Sequence, residues 1–316
     1  MFFETIYCQH CSALEQNSKE YLKNSKIINN TKFKIINGEI SENIIFATFH
    51  LGSYRTIISY LYECGFKVAL IIDDSVFTSQ LDAFKETVTN ILKGKINSDL
   101  IILNVKERTS IIKLKQLVEN GYVMAVYLDG NSGINVEAQN FSKNFIPINF
   151  LNQQINVKYG VGKLASILNA KIIPILSYRV NENEEYNNTI EIFKEISISD
   201  FENKEDFEKK SIEYCYSLLE EKLLKYPTQW ECWGYIHKWF NRDIEISFSE
   251  PSKNITKFNS DRYNLFEVND SNFLFDLFSY KSYPISNELF KLIEKQNFDK
   301  IENNLLLELN QKNILI

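Results

Sequence analysis

Ile44-Ile45-Phe46-Ala47-Thr48-Phe49-His50-Leu51-Gly52-Ser53-Tyr54-Arg55 is the stretch whose reading decides the fold. Ile44–Thr48 is apolar or β-branched without a break, His50 follows it, and an amphipathic pattern begins at Tyr54. A short continuous apolar run predicts a strand buried on both faces, as in a parallel sheet covered by helices. Gly52 permits a tight turn or close backbone approach, and Ser53 is a residue type that caps a following helix.

Outward from this unit the pattern repeats. Lys67–Ile72, Leu100–Asn104, Tyr122–Leu128 and Lys171–Tyr178 are further β-rich runs. Amphipathic stretches at Tyr54–Cys64, Ser79–Leu92, Ser110–Asn120 and Gly160–Asn169 separate them. The alternation predicts an α/β fold with a mostly parallel sheet covered by helices. Thr189–Ile196 alternates apolar and polar residues and predicts an exposed or edge strand. Phe207–Tyr226 carries an apolar stripe at helical spacing and stops at Pro227. Trp230, Trp233, Tyr235, Trp239 and Phe240 then read as core packing in preference to a ligand cage.

The polar stretch Asn241–Asn259 marks a boundary, giving an α/β domain over 1–245 and a small module over 260–316. In the module, Tyr263–Val268 and Phe273–Phe278 read as strands joined by Asn269-Asp270-Ser271-Asn272. Helical patterns at Asn287–Lys295 and Phe298–Asn310 precede an apolar strand at Ile314–Ile316. That order predicts a small winged-helix-like α+β module.

Composition narrows the function classes. The 316 residues are 44% hydrophobic and 24% charged, with a net charge of −6, which argues against a nucleic-acid partner. No segment reaches the ~18–20 apolar residues that span a bilayer, and the N-terminus lacks a signal-peptide pattern, so a cytoplasmic protein without a transmembrane segment is expected. Of the cysteines, only Cys8 and Cys11 have metal-like spacing. No second Cys or His pair matches them, so they read as ordinary helix cysteines and no metal is expected.

His50 lies just past an apolar strand, where open parallel sheets form their ligand crevices, and this favours a catalytic histidine over a structural one. Gly130-Asn131-Ser132-Gly133 is not a serine-hydrolase elbow, and Gly160-Val161-Gly162 lacks the third glycine of a dinucleotide motif.

Ala47–Arg55 resembles the His-x4-acid block of the lysophospholipid acyltransferase superfamily, in particular its lipid A late acyltransferase-like branch. Further blocks similar to that family follow in order. They are Asn120–Gly130, Ile146–Asn152, Tyr159–Ala165 with Asn169–Pro174, and Tyr226–Trp230, spanning roughly residues 40–240. The resemblance implies a general base at His50, which activates an acceptor hydroxyl or amine against an acyl thioester of coenzyme A or acyl carrier protein. That thioester is a co-substrate, and no cofactor is implied. Rough correspondence with the family's second block gives Arg108 either an anion or pantetheine-phosphate contact or a plain surface role. Gly52 and Ser53 fall within the same substrate-binding loop.

Arg55 departs from the family, which carries an acid at that place. A guanidinium has no acceptor for the imidazole N–H, and its charge disfavours imidazolium. Three readings stay open. Asp129, or failing it Asp73 or Asp74, supports His50 instead; Arg55 binds an acidic acceptor or carrier phosphate; or the site is degenerate and retained for binding a peptide or carrier protein. The tail, in Leu265–Val268, Phe273–Asp276 and Tyr283–Ser286, resembles winged-helix elements that grip a leader peptide in peptide biosynthesis, and alternatively is a helical appendage. A soluble acceptor, such as a peptide or carrier-bound intermediate of a biosynthetic pathway, is therefore expected.

Overall fold

The protein is described by a computed structural model covering residues 2–15, 19–33, 35, 41–72, 100–104, 109–130, 144–182, 185–234, 236, 239, 257–278 and 281–316. It divides into two units, Met1–Phe240 and Asn241–Ile316.

The first unit opens with helices α1 (Phe2–Glu15) and α2 (Lys19–Lys23) and strand β1 (Lys26–Asn29). Then come β2 (Ile44–Thr48), α3 (Thr56–Glu63), β3 (Lys67–Ile72), β4 (Leu100–Asn104), α4 (Ser110–Glu119) and β5 (Tyr122–Tyr127). A hairpin, β6 (Phe145–Phe150) and β7 (Gln153–Lys158), precedes α5 (Gly160–Ile167), β8 (Lys171–Glu182), β9 (Glu185–Ile192) and α6 (Lys204–Lys225). The expected helix at Ser79–Leu92 lies outside the described residues.

Seven strands form one sheet in the order β1-β9-β8-β2-β5-β3-β4, and β8, β2, β5, β3 and β4 pair in parallel. Every residue of β2 is buried because both sheet faces are covered. Ile44 and Phe46 join Ile57 and Leu61 of α3 on one side. Ile45 and Ala47 join Phe207, Tyr216 and Leu219 of α6 on the other. The two-residue period of a strand thus serves two cores, which explains the unbroken apolar run.

The pattern at Thr189–Ile196 misleads. β9 is not an edge strand: it pairs antiparallel with β8 and parallel with β1, and Ile190 and Ile192 are fully buried. Polar residues of β9 find partners on neighbouring elements: Asn188 accepts from the Ser177 hydroxyl of β8 at 2.8 Å, and Glu191 accepts from the Tyr178 hydroxyl at 2.7 Å and pairs with Lys222 of α6. The β6–β7 hairpin was not anticipated, because its turn residues, Leu151 and Asn152 at φ 50° and 60°, replace the usual Asn-Gly signal.

The second unit has a three-stranded antiparallel sheet, β10 (Tyr263–Val268), β11 (Ser271–Asp276) and β12 (Lys281–Ile285), followed by α7 (Asn287–Glu294) and α8 (Asn303–Gln311). Asn269 and Asp270 make the β10–β11 turn with positive φ. The expected order of strand, strand, helix, helix, strand is corrected in two places. A third strand precedes the helices, hidden by Pro284, and the expected terminal strand is an isolated bridge between Phe258 and Leu315. The fold class is therefore a mixed α/β unit with a mostly parallel sheet flanked by helices, plus a small antiparallel sheet with two helices.

Among the described glycines, Gly162 sits closest to a neighbour, since a Cβ there would clash with the Glu208 carbonyl of α6. Gly162→Ala is expected to destabilise the protein by about 1–3 kcal/mol through overpacking between α5 and α6. Urea denaturation checks this, and an unchanged midpoint would refute the close-packing account.

Candidate active site

Parallel pairing of β2 and β5 builds the site. Thr48 and Tyr127 are register partners, and the Leu128 N–H extends the ladder to the Thr48 carbonyl at 2.8 Å. His50 and Asp129 each stand two residues beyond that pair, so the carboxyl ends of adjacent strands deliver them to the same level. The Asp129 carboxylate accepts from His50 Nδ1 at 2.7 Å through Oδ1 and from the His50 backbone N–H at 2.9 Å through Oδ2.

Asp129 Oδ2 also accepts from Trp230 Nε1 at 2.8 Å and from the Cys232 thiol at 3.4 Å. The residue is 1% exposed. Burial alone would raise its pKa, but the His50 charge and the hydrogen bonds from His50 and Trp230 hold it below the ordinary carboxylate value. Burial likewise pulls His50 down. The Asp129 charge and hydrogen bond, aided by Glu231 and opposed by Arg55, overcome this and leave its pKa above 6.5. An ionised carboxylate only accepts, so Nδ1 carries the hydrogen and Nε2 is the lone-pair nitrogen of the neutral ring. The imidazole stacks on Tyr127 at 4.5 Å and meets Tyr54 edge-on at 4.8 Å, and its side chain keeps 26% exposure.

A second segment closes the site. Leu51 and Trp230 form an antiparallel bridge; the Gly52 N–H donates to the Gln229 carbonyl at 2.8 Å and the Glu231 N–H to the His50 carbonyl at 3.0 Å. Gly52 has φ +56°, and a Cβ there would lie 2.6 Å from the Ser177 carbonyl, so both conformation and space demand glycine.

The structure gives the other expected residues varied placements. Ser53 is buried and does not cap α3. Its hydroxyl donates to Glu15 at 2.6 Å and bonds with Tyr21 at 3.0 Å, facing into the protein. Glu15 in turn clamps Arg179 of β8 through 2.9 and 2.6 Å bonds. Arg55 begins α3, with its guanidinium 5.1 Å from the Tyr54 ring centroid and its buried Nε unpartnered. Arg108, Asp73 and Asp74 lie outside the described residues. No motif in the sequence points to site positions for Tyr54, Tyr127, Glu231 or Cys232, and Trp230 lies both in the aromatic cluster expected in the core and in the Tyr226–Trp230 block. Trp230 does pack in the core, yet its indole N–H serves Asp129. The position of Trp230 in the Tyr226–Trp230 block was the signal available.

Among the described residues, His50, Asp129 and Cys232 group closely enough to consider a metal ion. Their chemistry suits hydrogen bonding instead. Both Asp129 oxygens are occupied by donors, and burial pushes the Cys232 thiol well above its ordinary pKa, whereas a metal requires thiolate. Cys8 and Cys11 are free thiols on α1.

Asp129→Asn puts an amide where four donors converge. The His50 titration midpoint, followed by NMR, should fall by about one pH unit or more. Unfolding free energy should drop by about 2 kcal/mol at neutral pH as buried donors lose their acceptor. The stabilisation from the ionised carboxylate is full above its unfolded pKa of 3.8 and is lost as pH falls through the lower folded value, so the variant should lack this part of the acid sensitivity. A His50 midpoint that does not move would refute the pairing.

No family model and no curated protein matches the chain. Among described residues, no helix is long and apolar enough to cross a membrane. One solved structure similar to it is the 1-acyl-sn-glycerophosphate (LPA) acyltransferase PlsC from Thermotoga maritima, at 12% identity and a TM-score of 0.35, over 68% of this chain and 81% of that one.

Proposed function

We propose that the protein transfers an acyl group from a thioester of acyl carrier protein or coenzyme A to a soluble acceptor. The observation that carries this reading is the His50–Asp129 pair, with Nδ1 held at 2.7 Å and Nε2 left as the basic nitrogen. The ordered sequence blocks similar to acyltransferases supply the reaction class. His50 Nε2 takes the proton of the acceptor hydroxyl or amine as its oxygen or nitrogen attacks the thioester carbon. The tetrahedral intermediate then collapses, the carbon–sulfur bond breaks, and imidazolium returns the proton to the leaving thiolate. Asp129 stabilises the imidazolium in between, the role for which the family uses the acid that Arg55 replaces here.

The proposed acceptor is a peptide or carrier-bound intermediate. In the small unit, β10 and β12 are the edges of the sheet, and Pro284 removes a donor from β12, so β10 is the better edge for an added peptide strand. A second reading, an acyltransferase fold retained only to bind a peptide or carrier protein, is favoured by the cation at position 55.

Intact-mass spectrometry of the protein with acyl-carrier and acyl-coenzyme A thioesters and candidate acceptors separates the two readings. Transfer should appear as an acyl mass shift on the acceptor, fall at least about 100-fold in His50→Ala, and rise with pH through a midpoint above 6.5. Unchanged turnover in His50→Ala would refute the base. Stable binding of the same partners without transfer would establish the second reading.

A further inference from the structure

The Leu51–Trp230 bridge that closes the site also brings two unlike charges to it, and neither takes part in the His50–Asp129 pair. Glu231 follows Trp230 directly, and its backbone N–H is bonded to the His50 carbonyl at 3.0 Å, which fixes its Cα beside the histidine. Its Oε1 is buried with no hydrogen-bond donor. Arg55, five residues after His50 at the N-cap of α3, has a buried Nε with no acceptor. Buried polar atoms without partners are costly, and two of opposite sign that act on one imidazole call for an explanation other than packing.

We infer that Glu231 is a second carboxylate acting on His50 and that Arg55 is its counter-ion, so that the pair sets how firmly the imidazole holds a proton. Two acids then flank the base, Asp129 from the end of β5 and Glu231 from the segment after α6. With both ionised and the imidazole protonated, the site without Arg55 would carry a net negative charge in a half-buried place. Arg55 brings it to neutrality. It also limits the rise at Glu231, whose carboxyl is held above its ordinary value by burial against the pull of His50, Arg55 and Tyr54. The charged and titratable groups around the imidazole are thus Asp129, Glu231 and Arg55, with Tyr54 and Tyr127 against the ring and the Cys232 thiol on Asp129. Both tyrosines are raised by burial and stay neutral through the working range. Arg55 is therefore an electrostatic complement to a displaced acid, and Glu231 is a positioning residue for the base. As a statement about acyl transfer this rests on the reading proposed above; as a statement about His50 it does not.

The test follows the C2–H resonance of His50, assigned against His50→Ala, through a pH titration that needs no substrate. Glu231→Gln should lower the His50 midpoint by about 0.5 pH unit or more, and Glu231→Asp should retain most of the wild-type value. Arg55→Gln should shift the midpoint by a different amount in wild type than in Glu231→Gln, giving a coupling in the double-mutant cycle. An unmoved midpoint in Glu231→Gln, with circular dichroism unchanged, overturns the role of Glu231. Additive shifts in the cycle overturn that of Arg55. Acyl transfer absent from every variant and from wild type, alongside a coupled titration, would remove the catalytic setting and leave the electrostatic pair standing.

Discussion

A buried carboxylate with four hydrogen bonds aimed at it holds the site together. Asp129 takes two from His50, one from Trp230 and one from Cys232, and it is almost wholly out of water. An ionised group in such a place is tolerated because both oxygens accept hydrogen bonds and a proton-carrying ring lies against it. The same bonds tie the end of β2, the end of β5 and the segment after α6 into one object. Remove the charge and the two other pieces of chain lose the partner they share. The carboxylate is thus at once a chemical group of the site and its structural keystone.

A second ion pair does comparable work on the far side of the histidine loop. Glu15 of α1 grips Arg179 of β8 in a two-pronged bond and accepts from Ser53, while Tyr21 of α2 completes the chain through the Ser53 hydroxyl. Desolvation first, and then the neighbouring Glu15 charge, push the Tyr21 hydroxyl up to about 12, so it stays a neutral partner. Gly52 leaves no room between the loop and β8. The loop carrying His50 is therefore fixed by charge on one flank and by backbone bonding to Gln229 and Glu231 on the other. A side chain on a loop held this way keeps its position without reorganisation of its own backbone.

Much of this was legible in the sequence where the physics is local. Ile44–Thr48 could be read as a buried strand because a sheet covered on both faces has no polar side to show. The meeting of His50 with Asp129 could be anticipated because parallel strands end together. Asp129 could be named from strand order. β9 was misread because Asn188 and Glu191 are partnered by side chains of β8 and α6, which no alternation pattern reveals. The third strand of the small unit escaped because Pro284 argues against pairing, though an edge strand accommodates it. Ser53 was assigned to a cap, but the acid that claims its hydroxyl, Glu15, is 38 residues away in sequence. Glu231 and Cys232 carry no motif at all, and only the bridge between Leu51 and Trp230 brings them in.

That bridge also bears on how the molecule matures. It joins residues about 180 positions apart, 51 and 230, across nearly the whole of the first unit. Contacts so distant along the chain impose a loop-closure cost that is recovered only when intervening structure has condensed. During synthesis, β2 and β5 emerge and can pair long before Trp230 is made. At that stage Asp129 lacks its indole partner and the histidine loop lacks its outer wall. The site is completed only once the segment after α6 has been made and docked, so a nascent chain can be well folded across its sheet and still have no finished centre.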